Sequence, residues 1–434
     1  MRPLDREIAR LAVPALGALT AEPLYILVDT AVVGHLGTPE LAGLAVASSA
    51  LLTAHAICIF LAYGTTGSVA RLLGAGQTGD AAHEAVQGLW LAGALGTVLA
   101  IAGWIAAPDL VSLLGAEGEV ARHAEVYLTL SLPGFPALLI VLAGTGYLRG
   151  LQDTRTPLLV ALASAAVNLV LELVLIYGLD RGLGASALAT VVAQWGAAAV
   201  YLRTIGRAAS AEGVALGPQL AALRRLLRVA GALVLRTSAL RSALLVATAV
   251  AARIGTADVG AHQIAFELWS TLVLALDALA IAGQSMIGRR LGAGDIDGAH
   301  VVGQRLLRLG LAAGFLAAAF FVAFRGVLPH LFTSDAEVAS LAAFVLWWVA
   351  ALQPVNGVVF VLDGLLIGAG DLRFLAGAMV VAAAAFVACA AGVLVTGAGL
   401  GWLWAAIAVF MVARLLPLLR RWRDGGWAVV GAVR

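Results

Sequence analysis

The chain has 434 residues, 62% of them hydrophobic and 12% charged, and a mean hydropathy of +0.99. Such a composition excludes a soluble globular domain and describes a polytopic membrane protein. A formal net charge of +2 leaves no case for a nucleic-acid partner, and Cys58 and Cys389, far apart in apolar stretches, make neither a disulfide framework nor a metal motif.

A helix needs ~20 apolar residues to cross a bilayer, and twelve such stretches follow one another. The first six run over 7–33, 43–70, 86–114, 121–147, 157–178 and 185–203. The second six run over 222–252, 260–288, 306–332, 337–367, 373–397 and 400–420. The expected fold is all-α: an N-lobe (1–203), a polar cytoplasmic linker (204–221) and a C-lobe (222–434). Arg2, Arg6 and Arg10 precede a stretch too long for a cleavable signal, so the first helix is expected to remain as an anchor.

Every one of the 27 basic residues is Arg. With the N-terminus placed inside, twenty-one fall in the termini and even-numbered loops. Arg122, Arg181, Arg253 and Arg325 fall outside, and Arg236 and Arg241 lie within the seventh span. This asymmetry predicts two cytoplasmic termini, and the expected location is the cell (inner) membrane.

The chain also repeats itself. A shift of 218 residues, without a gap, lays Gly37-Thr38 on Gly255-Thr256 and Arg71-Leu-Leu-Gly-Ala-Gly76 on Arg289-Arg-Leu-Gly-Ala-Gly294. It also lays Pro136 on Pro354 and Gly146 on Gly364. Six helices per repeat make a parallel duplication about an axis along the membrane normal, an arrangement common in transporters. The Gly-Ala-Gly turns lack the strand and the Lys-Ser/Thr of a phosphate loop and read as helix C-caps. With no ATP-binding module or other cofactor motif, uphill transport has to draw on an ion gradient.

Charges inside the spans come next. The first half holds Glu22, Asp29 and Glu172; the second holds Arg236, Arg241, Glu267, Asp277 and Asp363. An acid at a helix centre costs ~2.5–3.5 kcal/mol on insertion scales, so each is a candidate for function. At ~1.5 Å per residue, Asp29 lies about 8 Å from the outer end of the first helix and Glu172 about 9 Å from that of the fifth. Asn168 shares the face of Glu172, and Thr190 sits at a similar level on the sixth. These four suit either a small cation or a proton-carrying carboxylate. In the second half, Arg236 and Arg241 are each expected to pair with an acid among Glu267, Asp277 and Asp363, as charge pairs or as a second polar patch touching substrate.

Leu27-Val-Asp-Thr-Ala-Val-Val-Gly-His-Leu-Gly37, Tyr63-Gly-Thr-Thr-Gly67, Gly146-Tyr-Leu-Arg-Gly-Leu-Gln-Asp-Thr-Arg-Thr-Pro157 and Asp363-Gly-Leu-Leu-Ile-Gly-Ala-Gly-Asp371 together carry a resemblance. Over essentially its whole length the chain resembles the multidrug and toxic compound extrusion (MATE) transporters, and their DinF-like branch above all. The resemblance implies two six-helix lobes in a V, open to each side in turn, and a monomer. It implies export of organic cations or amphipathic compounds in exchange for H⁺ or Na⁺. On the matching positions it implies ion coupling at Asp29, Asn168, Glu172 and Thr190, which would also be the ligands of any Na⁺, and a bending helix at Pro14. Glu172 departs from the family's familiar Asp. Glu22, Tyr25, Gln194, Glu267, Gln284 and Asp363 are the candidate substrate or cavity residues.

An antiporter is thus expected, with a flippase for lipids or lipid-linked precursors as the alternative. An intramembrane enzyme finds no His-Glu-x-x-His or Gly-x-Ser-x-Gly motif. H⁺ is the expected ion, because a proton needs one switchable carboxylate while Na⁺ needs several oxygens in fixed geometry. The extra methylene of Glu172 loosens such a cage, and Pro14 and Pro23 leave carbonyls free for the first helix to bend once Asp29 is neutral.

Overall fold

Each apolar stretch winds into a helix because only intra-segment hydrogen bonds satisfy a backbone in hydrocarbon. A computed structural model describes residues 3–179 and 182–432; Arg2, Arg181 and Arg434, counted in the charge asymmetry, lie outside them. Twelve spanning helices are present among the described residues, with no strand. They are α1 (Pro3–Gly34), α2 (Thr38–Gly74), α3 (Thr78–Leu113), α4 (Gly118–Gly150), α5 (Arg155–Gly178) and α6 (Gly182–Ala211). The second set is α7 (Leu220–Ile254), α8 (Thr256–Gly292), α9 (Ile296–Phe324), α10 (Ala336–Gly368), α11 (Leu372–Thr396) and α12 (Leu400–Arg423).

Most helices outrun their apolar stretch, since polar ends such as Thr78–Ala85 contain nothing that breaks a helix. Three carry interruptions. At Ile59 α2 breaks, and a 3₁₀ turn, Leu132–Gly134, splits α4 before Pro136. The last six residues of α5, Leu173–Gly178, wind as a π-helix directly after Glu172. Such wide turns gather at functional positions.

By contacts the chain divides into two compact units, Val13–Ala230, and Gly231–Arg434 with Met1–Ala12. Helix α1 therefore changes unit one residue before Pro14. The segment read as a linker, 204–221, is helical as far as Ala211, and α7 begins at Leu220. Between them the chain is held on α3 inside the first unit. The buried Gln87 amide donates to Gly217 O (3.0 Å) and accepts from Gln219 N (2.8 Å), and Trp90 Nε1 donates to Leu216 O (2.7 Å). The Glu84 carboxylate takes hydrogen bonds from Ser68 and Arg225.

The 218-residue repeat is visible in the packing of each unit. Helix starts at Thr38, Thr78, Gly118 and Gly182 recur at Thr256, Ile296, Ala336 and Leu400. A Cβ added at Gly146 would stand 2.6 Å from Ala62 O, and one at Gly364 would stand 2.5 Å from Ala280 O, again 218 residues on. Left-handed backbone recurs as well: Gln152 has φ 62° where its counterpart Gly370 has φ 73°. The Gly-Ala-Gly turns end at Gly76 (φ 75°) and Gly294 (φ 77°), as C-caps require. The following Asp295 is committed to Gly298 N–H and Arg290, which hold its carboxyl below the usual range.

Without a hydrophobic drive between helices in lipid, such close approaches supply the packing energy. Gly364→Ala is therefore expected to lose about 1–3 kcal/mol, as overpacking does. Gly377→Ala on α11, where an added Cβ meets nothing within 4 Å, is expected to be neutral or stabilising. Thermal melting of the detergent-purified variants checks this, and equal melting of Gly364→Ala and the unaltered protein would refute it.

Candidate functional site

Three helices of the Val13–Ala230 unit bring the site together, each through two residues one turn apart. Helix α1 supplies Tyr25 and Asp29, α5 supplies Asn168 and Glu172, and α6 supplies Ser186 and Thr190. Four-residue spacing sets both members of each pair on one helix face.

Asp29, Asn168, Glu172 and Ser186 are all buried. The Ser186 hydroxyl lies 2.7 Å from Asp29 Oδ1 and 2.8 Å from Glu172 Oε1, between the two acids. One turn away, Tyr25 Oη and Thr190 Oγ1 share a hydrogen bond of 2.8 Å. Asn168 Oδ1 and Glu172 Oε2 are buried without a hydrogen-bond partner. Of the four expected coupling residues, Asp29 and Glu172 meet directly and through a third side chain, and Thr190 bonds to Tyr25. Ser186 was not among the expected residues. The signal that could have found it is its place four residues before Thr190, on the face already assigned to the site.

Beside this cluster lies a cavity of about 470 Å³, walled by α1, α2, α4, α5 and α6 of the same unit. Glu22, Tyr25, Asp29, Asn168, Thr190 and Gln194 all border it, among mostly apolar neighbours such as Leu51, Leu138 and Val160. Glu172 and Ser186 stand behind that wall. Glu22 is exposed, 3.7 Å from His55 Nε2. Pro14 lies within α1, outside the cavity lining.

The other unit holds a different arrangement. Asp363 Oδ2 accepts from Arg236 (2.7 Å) and from Arg414 (2.6 Å), and all three side chains are buried. The Arg414 guanidinium also lies 5.6 Å from the rings of Phe360 and Phe410. Arg414, inside the expected span 400–420 yet among the twenty-one arginines assigned to the cytoplasmic side, lies buried within α12. Arg236 finds the acid expected of it. Arg241 does not: it is exposed and in no ion pair among the described residues. Five steps of ~100° turn it about 140° from Arg236, onto another face of α7.

Asp277 is half-buried on α8, and Glu267 is exposed on the same helix. Gln284 is buried with Oε1 unpartnered. Glu267, Gln284 and Asp363, expected as cavity residues, do not line the cavity described, since their helices belong to the other unit. Among the described residues no group of three His, Cys, Asp or Glu is placed to hold a metal ion.

Comparison with known proteins bears on the family and the fold. The chain is 35% identical to Protein DETOXIFICATION 44, chloroplastic, of Arabidopsis thaliana, over 97% of its own length and 82% of the relative's. It is 31% identical to DNA damage-inducible protein F of Escherichia coli (strain K12), over 98% and 94%. A crystal structure of MATE in the bent conformation superposes with a TM-score of 0.88 at 22% identity, covering 98% of this chain and 96% of that one. An outward-facing multidrug resistance MATE family transporter of the MOP superfamily gives 0.86 at 22%, with 98% and 96% covered. These two establish a shared fold. The MatE family itself matches twice, over residues 14–174 and 234–391, once in each copy of the internal repeat. A duplicated twelve-helix chain with that double match belongs to the MATE family of multi-pass membrane transporters, which are not enzymes.

Proposed function

We propose that this transporter is a secondary active multidrug exporter of the cell membrane, with both termini cytoplasmic, that antiports organic cations or amphipathic compounds against H⁺. The observation that carries the reading is a pair of buried carboxylates, Asp29 and Glu172, gathered from two helices beside a largely apolar cavity. Asp29 and Tyr25 face that cavity and offer an acceptor and an aromatic face to a cationic amphiphile. Glu172 stands behind Asp29, screened from the cavity. Two acids around one hydroxyl suit a proton, because a single Ser186 hydrogen serves one acid at a time and a carboxyl proton completes the second contact.

Sodium is the second reading. Asn168 Oδ1 and Glu172 Oε2, buried and unpartnered, are oxygens of the kind a cation takes. Against it, the Thr190 hydroxyl is engaged by Tyr25 and Glu172 has an extra rotatable bond.

The test is dye efflux from vesicles containing the purified protein. A pH gradient in Na⁺-free buffer is expected to drive efflux, and an inward Na⁺ gradient at clamped equal pH is not. The reverse pattern would make sodium the coupling ion.

A further inference from the structure

Asp29 and Glu172 sit on different helices and interact directly, and both also bond to one side chain of a third. Ser186 on α6 is fully buried, with its hydroxyl 2.7 Å from one acid and 2.8 Å from the other. A hydroxyl carries one hydrogen and two lone pairs. It can donate to one carboxylate, and the other contact becomes favourable only when that acid holds a proton or a cation. Tyr127 on α4 also bonds to Ser186, so the charges of the two acids, together with the Tyr127 hydroxyl, decide which way the Ser186 hydrogen points. A change at Asp29 alters what Ser186 can offer Glu172.

Both helices joined in this way carry a local departure from the regular hydrogen-bond ladder. Helix α1 contains Pro14 and Pro23, and α5 unwinds into the π-helix Leu173–Gly178 one residue after Glu172. Both leave carbonyls outside the regular ladder and so have more than one hydrogen-bonded arrangement. Helix α6 is an uninterrupted α-helix from Gly182 to Ala211 between them. It offers a fixed point against which the other two can move.

We infer that Ser186 is a positioning residue that makes Asp29 and Glu172 one coupling unit, so that an ion taken up by either acid changes the hold of α6 on both α1 and α5. The inference rests on the antiporter reading. The competing role is plain packing, a small residue filling a space where three helices meet. The two differ in what the hydroxyl does once shape is kept constant.

Threonine and valine have the same shape and differ by that hydroxyl, which makes Ser186→Thr and Ser186→Val the informative pair. The full-length protein is reconstituted into vesicles with ethidium as the probe. Three quantities are read: ethidium affinity without a gradient, downhill ethidium equilibration, and gradient-driven export. Ser186→Val is expected to keep affinity and downhill exchange near those of Ser186→Thr and to lose gradient-driven export roughly tenfold or more relative to it, the range typical of a broken coupling. Equal gradient-driven export by the two variants overturns the inference. So does a parallel loss of all three quantities in both, which would mean that space, and not the hydroxyl, matters at 186. Asp29→Asn measured alongside separates the levels: if it exports at the unaltered rate, the antiporter reading fails. If it is inactive while Ser186→Val matches Ser186→Thr, the role of Ser186 alone is wrong.

Discussion

Asp29→Asn is expected to reduce gradient-driven efflux to that of protein-free vesicles, while the protein still folds and still binds dye. Asparagine keeps the shape of aspartate and retains an Oδ1 that can accept from Ser186, now 2.7 Å away. What it loses is the ability to change charge. A buried residue that alternates between neutral and charged is costly in one state and cheap in the other, and this difference is what ties an ion to a conformation. With the difference removed, the gradient has nothing on α1 to act upon. Glu22→Gln gives the contrast on the same helix. Glu22 is exposed and only 3.7 Å from His55, so it is expected to keep gradient-driven efflux and to alter dye affinity at most. Efflux by Asp29→Asn at the unaltered rate would sink the assignment of coupling to this acid.

How much of this was legible before the structure depends on the kind of signal. Hydropathy identified all twelve helices, because a bilayer demands length and apolarity within one segment and both are local properties. The repeat was equally readable. Gly146 and Gly364 mark backbone contacts at Ala62 and Ala280 that are themselves 218 residues apart, so one set of packing constraints was written twice. Asp29, Glu172 and Thr190 were set at one level by depth, which follows from residue count along a helix, and Asn168 by the face it shares with Glu172. Rotation was harder. Arg236 and Arg241 looked equivalent by depth, yet α7 turns one inward and the other out, because depth says nothing of the face a residue takes. Ser186 was passed over because a serine in a span is ordinary; only its spacing from Thr190 pointed to it, and its contacts depend on three helices meeting. Arg414 was misplaced for a related reason, since only tertiary packing of α7, α10 and α12 brings it to Asp363.

That last cluster gives the largest expected effect on stability. Asp363→Ala is expected to destabilise the protein by about 3–5 kcal/mol, the usual result of removing one partner from a buried ion pair. A loss of that size is a large part of the total for a typical domain, about 5–15 kcal/mol. The reason lies in the geometry: both guanidinium groups donate to the same Oδ2, at 2.7 and 2.6 Å. Taking the carboxylate away leaves two buried positive charges facing each other, with Asp277 on α8 as the other acid acting on Arg414. Arg414→Met should cost less, because Arg236 and Asp363 remain as a pair. Replacing all three together, Asp363→Leu with Arg236→Met and Arg414→Met, should recover much of the loss, since a buried ion network and a well-packed apolar one of similar volume are often close in energy. Melting followed by tryptophan fluorescence in detergent ranks the variants. If Asp363→Ala melts with the unaltered protein but no longer transports, the cluster belongs to the transport pathway, and its role in holding α7, α10 and α12 together is refuted.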